Sequence, residues 1–382
     1  MGDASSPIVQ DAPQKIPPRG SPSGYAARGA RAAGAPEQSD DWKRAMTHLP
    51  LLVSLPPEPQ SINHLADQLS WNEEAVSLAT QLWEKGLPPL VDTACLPYLF
   101  GVSGKLISAM GRFPDRYYRT FVRPKKDGGV REISGPRRFL KVIQWWINEH
   151  ILAHQSLNPY VMGFVRGKSI FDNGRPHAGA KNLMVVDVED FFPSVTISQV
   201  VPLFHSMGFP EAVSRQLARL CCRREVLPQG APTSPAVANL VFLPADEALA
   251  ELAQRWRCQY TRYADDLAFS GSRRFTREDM LEVETVLRRH GFRVNRTKSR
   301  RVGAGARHTL TGLVVNVSPQ PPRWKRRLWR AMFHRASNHP EEFGDRLTVL
   351  TGIAAFTKQF QRSLAAEYLA VVREVRRRAA AG

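Results

Sequence analysis

The chain has 382 residues, 43% of them hydrophobic, and a formal net charge of +18. A core of useful size is therefore expected, and the positive surplus favours a polyanionic partner, most often nucleic acid, over a merely soluble basic surface. The sequence contains no run of about 18 apolar residues and no signal peptide, so a cytoplasmic protein without a membrane partner is predicted.

The composition changes near residue 40. Residues 1–40 are rich in Ala, Pro, Ser and Gly, and their charges cancel, which predicts a disordered leader. Residues 41–118 show apolar residues at helical spacing, as in "SINHLADQLSWNEEAVSLATQLWEKG", and predict a helical N-terminal region. The stretch "LPYLFGVSGKLISAM" imitates a helix-turn-helix, but no basic recognition helix follows it, which favours an ordinary helix pair.

A cationic hairpin is predicted next, in "RTFVRPKKDGGVREISG" at residues 119–135. Two short strands flank Asp127-Gly128-Gly129, which is a turn signal. Cations beside the turn suit either a phosphate chain or a solvated charged turn, and the hairpin alone does not decide between them.

The central segment predicts an α+β sheet. Residues 183–186 form a continuous apolar strand that ends at Asp187, and the loop "LPQGAPTSP" leads into a long helix that ends near residue 256. The stretch "CQYTRYADDLAFSG" reads as strand, turn and strand, and a helix and a further strand with Lys298 follow. This order predicts helices packed on one face of the sheet.

Three acidic residues stand out because of where they fall. Asp265 and Asp266 are adjacent between apolar flanks, and Asp187 ends a neighbouring strand, so the three can converge. Converging carboxylates repel each other unless cations neutralise them. Hard divalent ions such as Mg²⁺ prefer oxygen ligands, and two of them can clamp both oxygens of an in-line phosphoryl displacement. Two Mg²⁺ ions are therefore the predicted cofactors.

The C-terminal segment is helical and basic. Residues 323–382 contain 13 Lys and Arg against 5 Asp and Glu, which favours a surface that lies along a nucleic-acid backbone. The four cysteines show no zinc-ligand spacing, and reduced thiols fit a cytoplasmic protein.

The spacing of Asp187, Gln229-Gly230, Tyr263-Ala264-Asp265-Asp266 and Lys298 resembles the reverse transcriptases, and within them the bacterial retron enzymes. The resemblance covers roughly residues 90–370. It implies a right-hand polymerase with residues 119–318 as fingers and palm and 319–382 as a basic helical thumb, preceded by the leader of residues 1–40 and the helical N-terminal extension of residues 41–118.

The resemblance also assigns roles to individual residues. It makes Asp187, Asp265 and Asp266 catalytic metal ligands, with the backbone carbonyl of Val188 as a further ligand, and Lys298 a general acid toward pyrophosphate. Phe192 matches a ring that excludes a ribose 2′-OH, with Phe191 as its nearest rival. The implied nucleotide-binding residues are Lys126 (alternative Lys125), Arg131, Phe192, Gln229 and Gly230.

Two stretches point to retrons in particular. Asn173-Gly174-Arg175-Pro176-His177 is similar to the family's Asn-Ala-x-x-His, with Gly in place of Ala, and Leu310-Thr311-Gly312 is similar to its Val-Thr-Gly. The resemblance implies that these regions recognise RNA, whereas the structural alternative makes His177 a helix cap and Thr311-Gly312 a strand bend. The predicted RNA-binding residues are Asn173, His177, Thr311, Gly312, Arg326, Arg327 and Arg330.

The function that the resemblance implies is RNA-directed DNA synthesis. The expected partners are deoxynucleoside triphosphates, the DNA product and a structured noncoding RNA that is both template and primer. Synthesis from a guanosine 2′-OH would give RNA-linked single-stranded DNA (msDNA), in antiphage defence with a separate effector protein. The alternatives are an intron-encoded or diversity-generating reverse transcriptase and a nonpolymerising RNA-binding protein, against which the three intact acids argue.

Overall fold

The computed structural model describes residues 59–124 and 129–380. The leader of residues 1–40, the following residues 41–58, and Lys126 with its alternative Lys125 lie outside these ranges. No helix in the described part of the chain is long and apolar enough to cross a membrane.

The helices and strands follow the predicted sequence of elements closely. The α-helices are α1 (Pro59–Leu69), α2 (Glu73–Glu84), α3 (Cys95–Phe100), α4 (Gly104–Arg112), α5 (Arg138–His150), α6 (Ile170–Gly174), α7 (Ile197–Ser206), α8 (Glu211–Cys221), α9 (Ser234–Val241), α10 (Leu243–Arg255), α11 (Arg277–Arg289), α12 (Arg323–Asn338), α13 (Leu347–Thr357) and α14 (Arg362–Ala379). The strands are β1 (Tyr118–Pro124), β2 (Val130–Pro136), β3 (Asn182–Val188), β4 (Gln259–Tyr263), β5 (Asp266–Gly271), β6 (Val294–Val302), β7 (Thr309–Leu310) and β8 (Leu313–Val314).

The predicted hairpin and central sheet are both present. The strands β1 and β2 pair antiparallel, and their turn lies outside the described residues. The strands β4, β5, β3 and β6 form an antiparallel sheet in that order, so β6 is an edge strand. The strand β3 is buried along its whole length, as its continuous apolar run predicts.

The two faces of this sheet are covered differently. Met184, Val186 and Val188 point into the main core, which the helices α7 to α11 fill, as predicted. Leu183 and Val185 alternate to the opposite face and join a smaller cluster with α6 and the β7–β8 hairpin. Asp187 belongs to this second face by alternation, so the acids lie on the side of the sheet that carries the fewer helices.

The prediction of one long helix before β4 is wrong. The chain forms α9 and α10, which are separated at Phe242. Pro244 follows at the second position of α10, and proline has no backbone N–H with which to continue the hydrogen bonding of α9.

The N-terminal helices and the cysteines have structural roles. The helices α3 and α4 meet at Gly101, whose φ of 60° is left-handed, and bury Leu99 and Ile107 in the main core. The helix pair is therefore part of the core, which agrees with the favoured interpretation. All four cysteines are free, and Cys95, Cys221 and Cys222 are buried.

The C-terminal helices form a smaller core of their own. Phe333 of α12 stacks on Tyr368 of α14 with ring centroids 3.7 Å apart. Phe356 and Phe360 reach back to Phe171 of α6, at centroid distances of 5.1 and 5.9 Å. These ring contacts attach the helical segment to the second face of the sheet.

Candidate active site

The adjacent acids lie in the turn of the β4–β5 hairpin. Tyr263 ends β4 and pairs with Asp266, the first residue of β5, so Ala264 and Asp265 make a two-residue turn. Ala264 has a φ of 58°, in the left-handed region that disfavours residues with a Cβ atom. A strained residue at this position requires support from the surrounding structure.

The sheet brings Asp187 to the same place. Asp187 and Asp266 are direct partners in the antiparallel β3–β5 pairing, and the backbone N–H of Val188 donates to the carbonyl oxygen of Asp265 at 2.9 Å. Directly opposite residues in such a ladder have Cα atoms about 4.5–5.5 Å apart. The predicted convergence of the three acids is therefore observed.

Burial and mutual repulsion make this cluster electrostatically unfavourable. Burial, then Asp265, then Asp187 raise the pKa of Asp266 to about 6. Burial and then Asp265 also raise the pKa of Asp187, while Lys298 and Arg300 act to lower both values. Lys298 thus lies within electrostatic reach of both acids, on the exposed edge strand β6.

The donor set fits a divalent cation that is shared with substrate. Within residues 59–124 and 129–380, no group of three or more His, Cys, Asp or Glu side chains is arranged to hold a metal ion. Mg²⁺, however, usually takes one or two carboxylates and completes its shell with waters and substrate phosphates. Asp187 and Asp266 supply two carboxylates. Val188 has no ligand atom in its buried, aliphatic side chain and can contribute only its backbone carbonyl.

Two of the predicted nucleotide-binding residues share a cavity. Arg131 and Gln229 both line a space of about 340 Å³ between the β1–β2 hairpin and the palm. The backbone N–H of Ser134 donates to the carbonyl oxygen of Gln229 at 2.7 Å, which fixes the loop against β2. Gly230 has a φ of 119°, and a Cβ there would meet Ile133 at 2.9 Å, so the loop depends on glycine.

The two neighbouring phenylalanines occupy different environments. Phe191 is 5% exposed and packs among the rings of Phe242 and Phe292 in the main core. Phe192 is only partly buried, and its ring lies 5.9 Å from that of Phe164. Phe191 is therefore the core ring of the pair, and Phe192 is the more exposed one.

The residues predicted to bind RNA fall into two groups. Asn173 and His177 are both fully buried. His177 bonds Ser270 through Nδ1 and Thr261 through Nε2, both at 2.7 Å, and the Thr261 hydroxyl donates to Asn173 at 2.7 Å. Because both side chains are buried, RNA cannot reach them. Their hydrogen bonds hold α6 and the turn after it on the palm strands. The structure therefore favours a structural role for both residues, although His177 contacts the palm strands and does not cap a helix.

The remaining predicted RNA contacts are accessible. Thr311 and Gly312 form the turn between β7 and β8, with φ of 45° and 81°, and Gly312 is exposed. Arg327 and Arg330 are exposed on α12, whereas Arg326 is partly buried. The turn is tied to the buried group by a 3.5 Å hydrogen bond from Asn173 to the Thr311 hydroxyl.

A buried ion pair behind the catalytic turn was not predicted. Arg262 and Asp246 are both 0% exposed and join through Nη2 and Oδ2 at 2.7 Å. Arg262 also donates to the Ala264 carbonyl at 3.3 Å and to Asn239 at 2.8 Å. The sequence did contain a signal for this burial, because Arg262 follows Tyr260 by two positions in β4 and therefore points to the same, inward face.

Gly163 is the second unpredicted residue. Asn239 donates to its carbonyl at 3.0 Å, and a Cβ at Gly163 would lie 2.2 Å from the Ala264 nitrogen. The backbone at Gly163 thus packs directly on the strained turn. Together, Arg262 and Gly163 provide the support that the left-handed Ala264 requires.

Comparison with known proteins identifies close relatives. A family model described as "Reverse transcriptase (RNA-dependent DNA polymerase)" matches residues 123–321. The retron Mx162 reverse transcriptase of Myxococcus xanthus is 32% identical over 367 residues, covering 84% of this chain and 76% of that protein. The retron Mx65 enzyme of the same organism is 36% identical over 268 residues, covering 64% and 61%.

A third relative comes from another organism. The retron Ec86 reverse transcriptase of Escherichia coli is 36% identical over 208 residues, covering 53% of this chain and 64% of that protein. The match therefore spans less than two thirds of the Mx65 and Ec86 enzymes, and about three quarters of the Mx162 enzyme.

Proposed function

Because the chain belongs to the retron reverse transcriptases, a family of RNA-directed DNA polymerases, we propose that Asp187, Asp265 and Asp266 are its catalytic residues. The observation that supports this most strongly is the pairing of Asp187 with Asp266 across β3 and β5, next to Asp265 in the turn. Three carboxylates are held together there at the expense of stability, and bound cations would relieve their repulsion.

The cofactor proposed for this site is a pair of Mg²⁺ ions. When bound, they would clamp the attacking hydroxyl and the leaving phosphate of the displacement. Asp187, Asp265, Asp266 and the Val188 carbonyl would hold them. Lys298 lies within electrostatic reach of both acids and would donate a proton to the departing pyrophosphate.

The proposed nucleotide site includes the cavity that Arg131 and Gln229 share. Arg131, with Lys126, would hold the triphosphate, since guanidinium groups match phosphate geometry. Gln229 and Gly230 would contact the incoming nucleotide and template. The Phe192 ring would exclude a 2′-OH, so that deoxynucleotides are selected.

The proposed template and primer are one structured noncoding RNA. Arg327 and Arg330 on α12 supply exposed cations for its phosphates, and Trp324 of the same helix is 63% exposed and available for stacking. Synthesis from a guanosine 2′-OH would leave the DNA joined to RNA as msDNA. A role in antiphage defence with a separate effector protein extends this proposal.

Asp265→Asn tests the proposal directly. Protein purified with its copurifying RNA would be supplied with deoxynucleotides and Mg²⁺, and Asp345→Asn, an exposed acid on the thumb, serves as a matched control. We expect the Asp265 variant to lose DNA synthesis but to keep its RNA and a melting temperature at least as high, because one repelling charge is gone.

The product of the wild-type protein tests the finer points. DNA that shortens on RNase digestion, and again with a debranching enzyme, would support priming from a 2′-OH. Full DNA synthesis by the Asp265 variant would contradict the assigned active site. Synthesis from an added primer alone would leave a polymerase but contradict self-priming.

A further inference from the structure

A second basic surface lies outside the polymerase cleft, at the free edge of the palm sheet. A groove of about 1170 Å³ runs between one face of α11 and the edge strand β6. From the helix, Arg277, Met280 and Leu281 line it at the three- and four-residue spacing of one helix face. None of the RNA-binding or nucleotide-binding residues assigned above belongs to its lining.

The charge of this groove is strongly one-sided. Five arginines line it, against the single carboxylate of Glu284: Arg274, Arg277, Arg296, Arg300 and Arg301. Arg296 pairs with Glu284 at 2.8 Å, and Arg300 donates to the Thr309 carbonyl at 2.6 Å. Arg274, Arg277 and Arg301 are exposed, and Arg277 and Arg301 act electrostatically on the nearby carboxylate of Glu278, which does not line the groove.

Edge protection does not account for this arrangement. Charged side chains on an edge strand prevent it from pairing with another chain, and Arg296, Arg300 and Arg301 would suffice for that purpose. Arg274, however, lies in the loop before α11, and Arg277 lies on the helix itself. Cations on both walls indicate a ligand that lies between them.

The dimensions favour a polymer over a single phosphate group. Asn295 and Arg301 pair with Asp187 and Met184 of β3, so the bulged segment that carries Arg296, Arg300 and Arg301 covers about 10 Å of the sheet edge, at about 3.3 Å per residue. The groove volume of about 1170 Å³ nevertheless far exceeds that of one phosphate group. The aromatic ring of the lining, Phe275, is buried, so bases have no ring there on which to stack. Asn295, next to the lining residue Arg296, pairs with Asp187 of β3, so this end of the groove lies close to the acids.

We propose that this groove binds the phosphodiester backbone of RNA outside the catalytic cleft. The inference rests on the proposed function for its ligand, because the RNA in question is the template-and-primer RNA. Backbone contacts position a nucleic acid without reading its sequence. The groove would thus retain a distal part of the structured RNA while its copied part moves through the cleft.

The test is a pair of double variants with equal changes in charge. Arg277→Glu with Arg301→Glu reverses the groove, and Arg257→Glu with Arg289→Glu reverses two exposed arginines outside it. Each is titrated without metal against a short RNA–DNA template–primer duplex, and against the same duplex with a long RNA extension. Binding without metal is independent of catalysis, so a failed active-site assignment does not affect the result.

We expect the groove variant to bind the extended probe more weakly than the wild-type protein does and to bind the short duplex equally well. The slope of log affinity against log salt should flatten by about 0.7 for each lost contact to single-stranded nucleic acid. The control variant should bind each probe as tightly as the wild-type protein does. Equal loss on both probes, or no loss on either, would overturn the proposal, as would a raised KM for deoxynucleotides with unchanged RNA affinity. Should the double glutamate variant misfold, Arg277→Gln with Arg301→Gln gives the same comparison.

Discussion

The charged side chains inside this protein fall into two groups, one neutralised by a partner within the chain and one not. Arg262 and Asp246 neutralise each other, and Asn239 and Tyr260 fill their remaining hydrogen-bonding positions. Asp187 and Asp266 are both repelled by Asp265, and their pKa values stay raised although Lys298 and Arg300 act on both and Asn295 hydrogen-bonds Asp187. The first arrangement supports the fold, whereas the second is completed only by a ligand, which is why a strained, repulsive cluster indicates function.

His177 gives a pH-dependent prediction at this scale. Burial lowers its pKa from 6.5 to about 4, so it stays neutral in the folded state at pH values where the unfolded chain is protonated. Stability should therefore fall as the pH drops from 6.5 to about 4, by at most about 3 kcal/mol from this residue. Urea unfolding across this range should show a shallower loss in His177→Gln than in the exposed-site control His154→Gln.

The same variant separates fold from recognition. If His177 only ties the turn after α6 to the palm, its replacement should lower affinity for cognate and scrambled RNA alike. A selective loss for the cognate RNA would restore the prediction that this segment reads RNA.

At the scale of elements, the catalytic hairpin depends on a neighbouring loop. The loop that holds Met162 and Gly163 hydrogen-bonds to the Arg262 carbonyl, at 2.8 and 3.3 Å, and lies against the turn at Ala264. The position of Asp265 is therefore set jointly by its own hairpin, by this loop and by the Arg262 side chain.

Gly163→Ala tests this dependence. The added methyl group would lie 2.2 Å from the Ala264 nitrogen, so the turn must shift. Because a displacement of about 1 Å can lower a rate about 100-fold, we expect DNA synthesis to fall by about that factor with RNA affinity retained. Gly352→Ala, where nothing lies within 4 Å in α13, is the control and should keep full activity. Full primer extension by Gly163→Ala would contradict this support.

At the scale of the whole molecule, positive charge is distributed over several surfaces. The thumb helix α12, the β1–β2 hairpin and the groove beside β6 each carry exposed arginines, while the acids occupy one end of the palm sheet. An RNA that contacts several of these surfaces at once would bind with a steep salt dependence. Such binding holds the substrate without specifying its sequence.

Replacing Arg326, Arg327 and Arg330 with Gln tests the thumb contribution. Each lost phosphate contact should flatten the salt slope by roughly 0.7 to 0.9 and weaken binding to cognate and scrambled RNA alike. The triple variant Arg255, Arg257 and Arg289 to Gln removes equal charge from the palm helices α10 and α11 and the turn after α10. A salt titration in which both triple variants behave identically would mean that net charge, rather than the thumb, governs binding.

Local patterns in the sequence predicted the order of the strands and the convergence of Asp187, Asp265 and Asp266, which the structure shows. Continuous apolar residues before Asp187 and the short hairpin around Asp265 are local patterns, and local patterns fix strand burial and turns. Alternation along the chain predicted only that one of Phe191 and Phe192 lies in the core. The choice of Phe192 for the site came from the family resemblance, and the structure has Phe191 in the core.

Which polar residues are buried could not be predicted from local patterns, because it depends on tertiary packing. Asn173 and His177 look like surface recognition residues in sequence, but their partners Thr261 and Ser270 lie more than 80 positions away. Arg262 with Asp246, Gly163 with Ala264, and the arginines on both walls of the groove are likewise brought together by packing. Sequence periodicity reports which face of an element is apolar, whereas the partner of a buried polar group depends on which elements pack together.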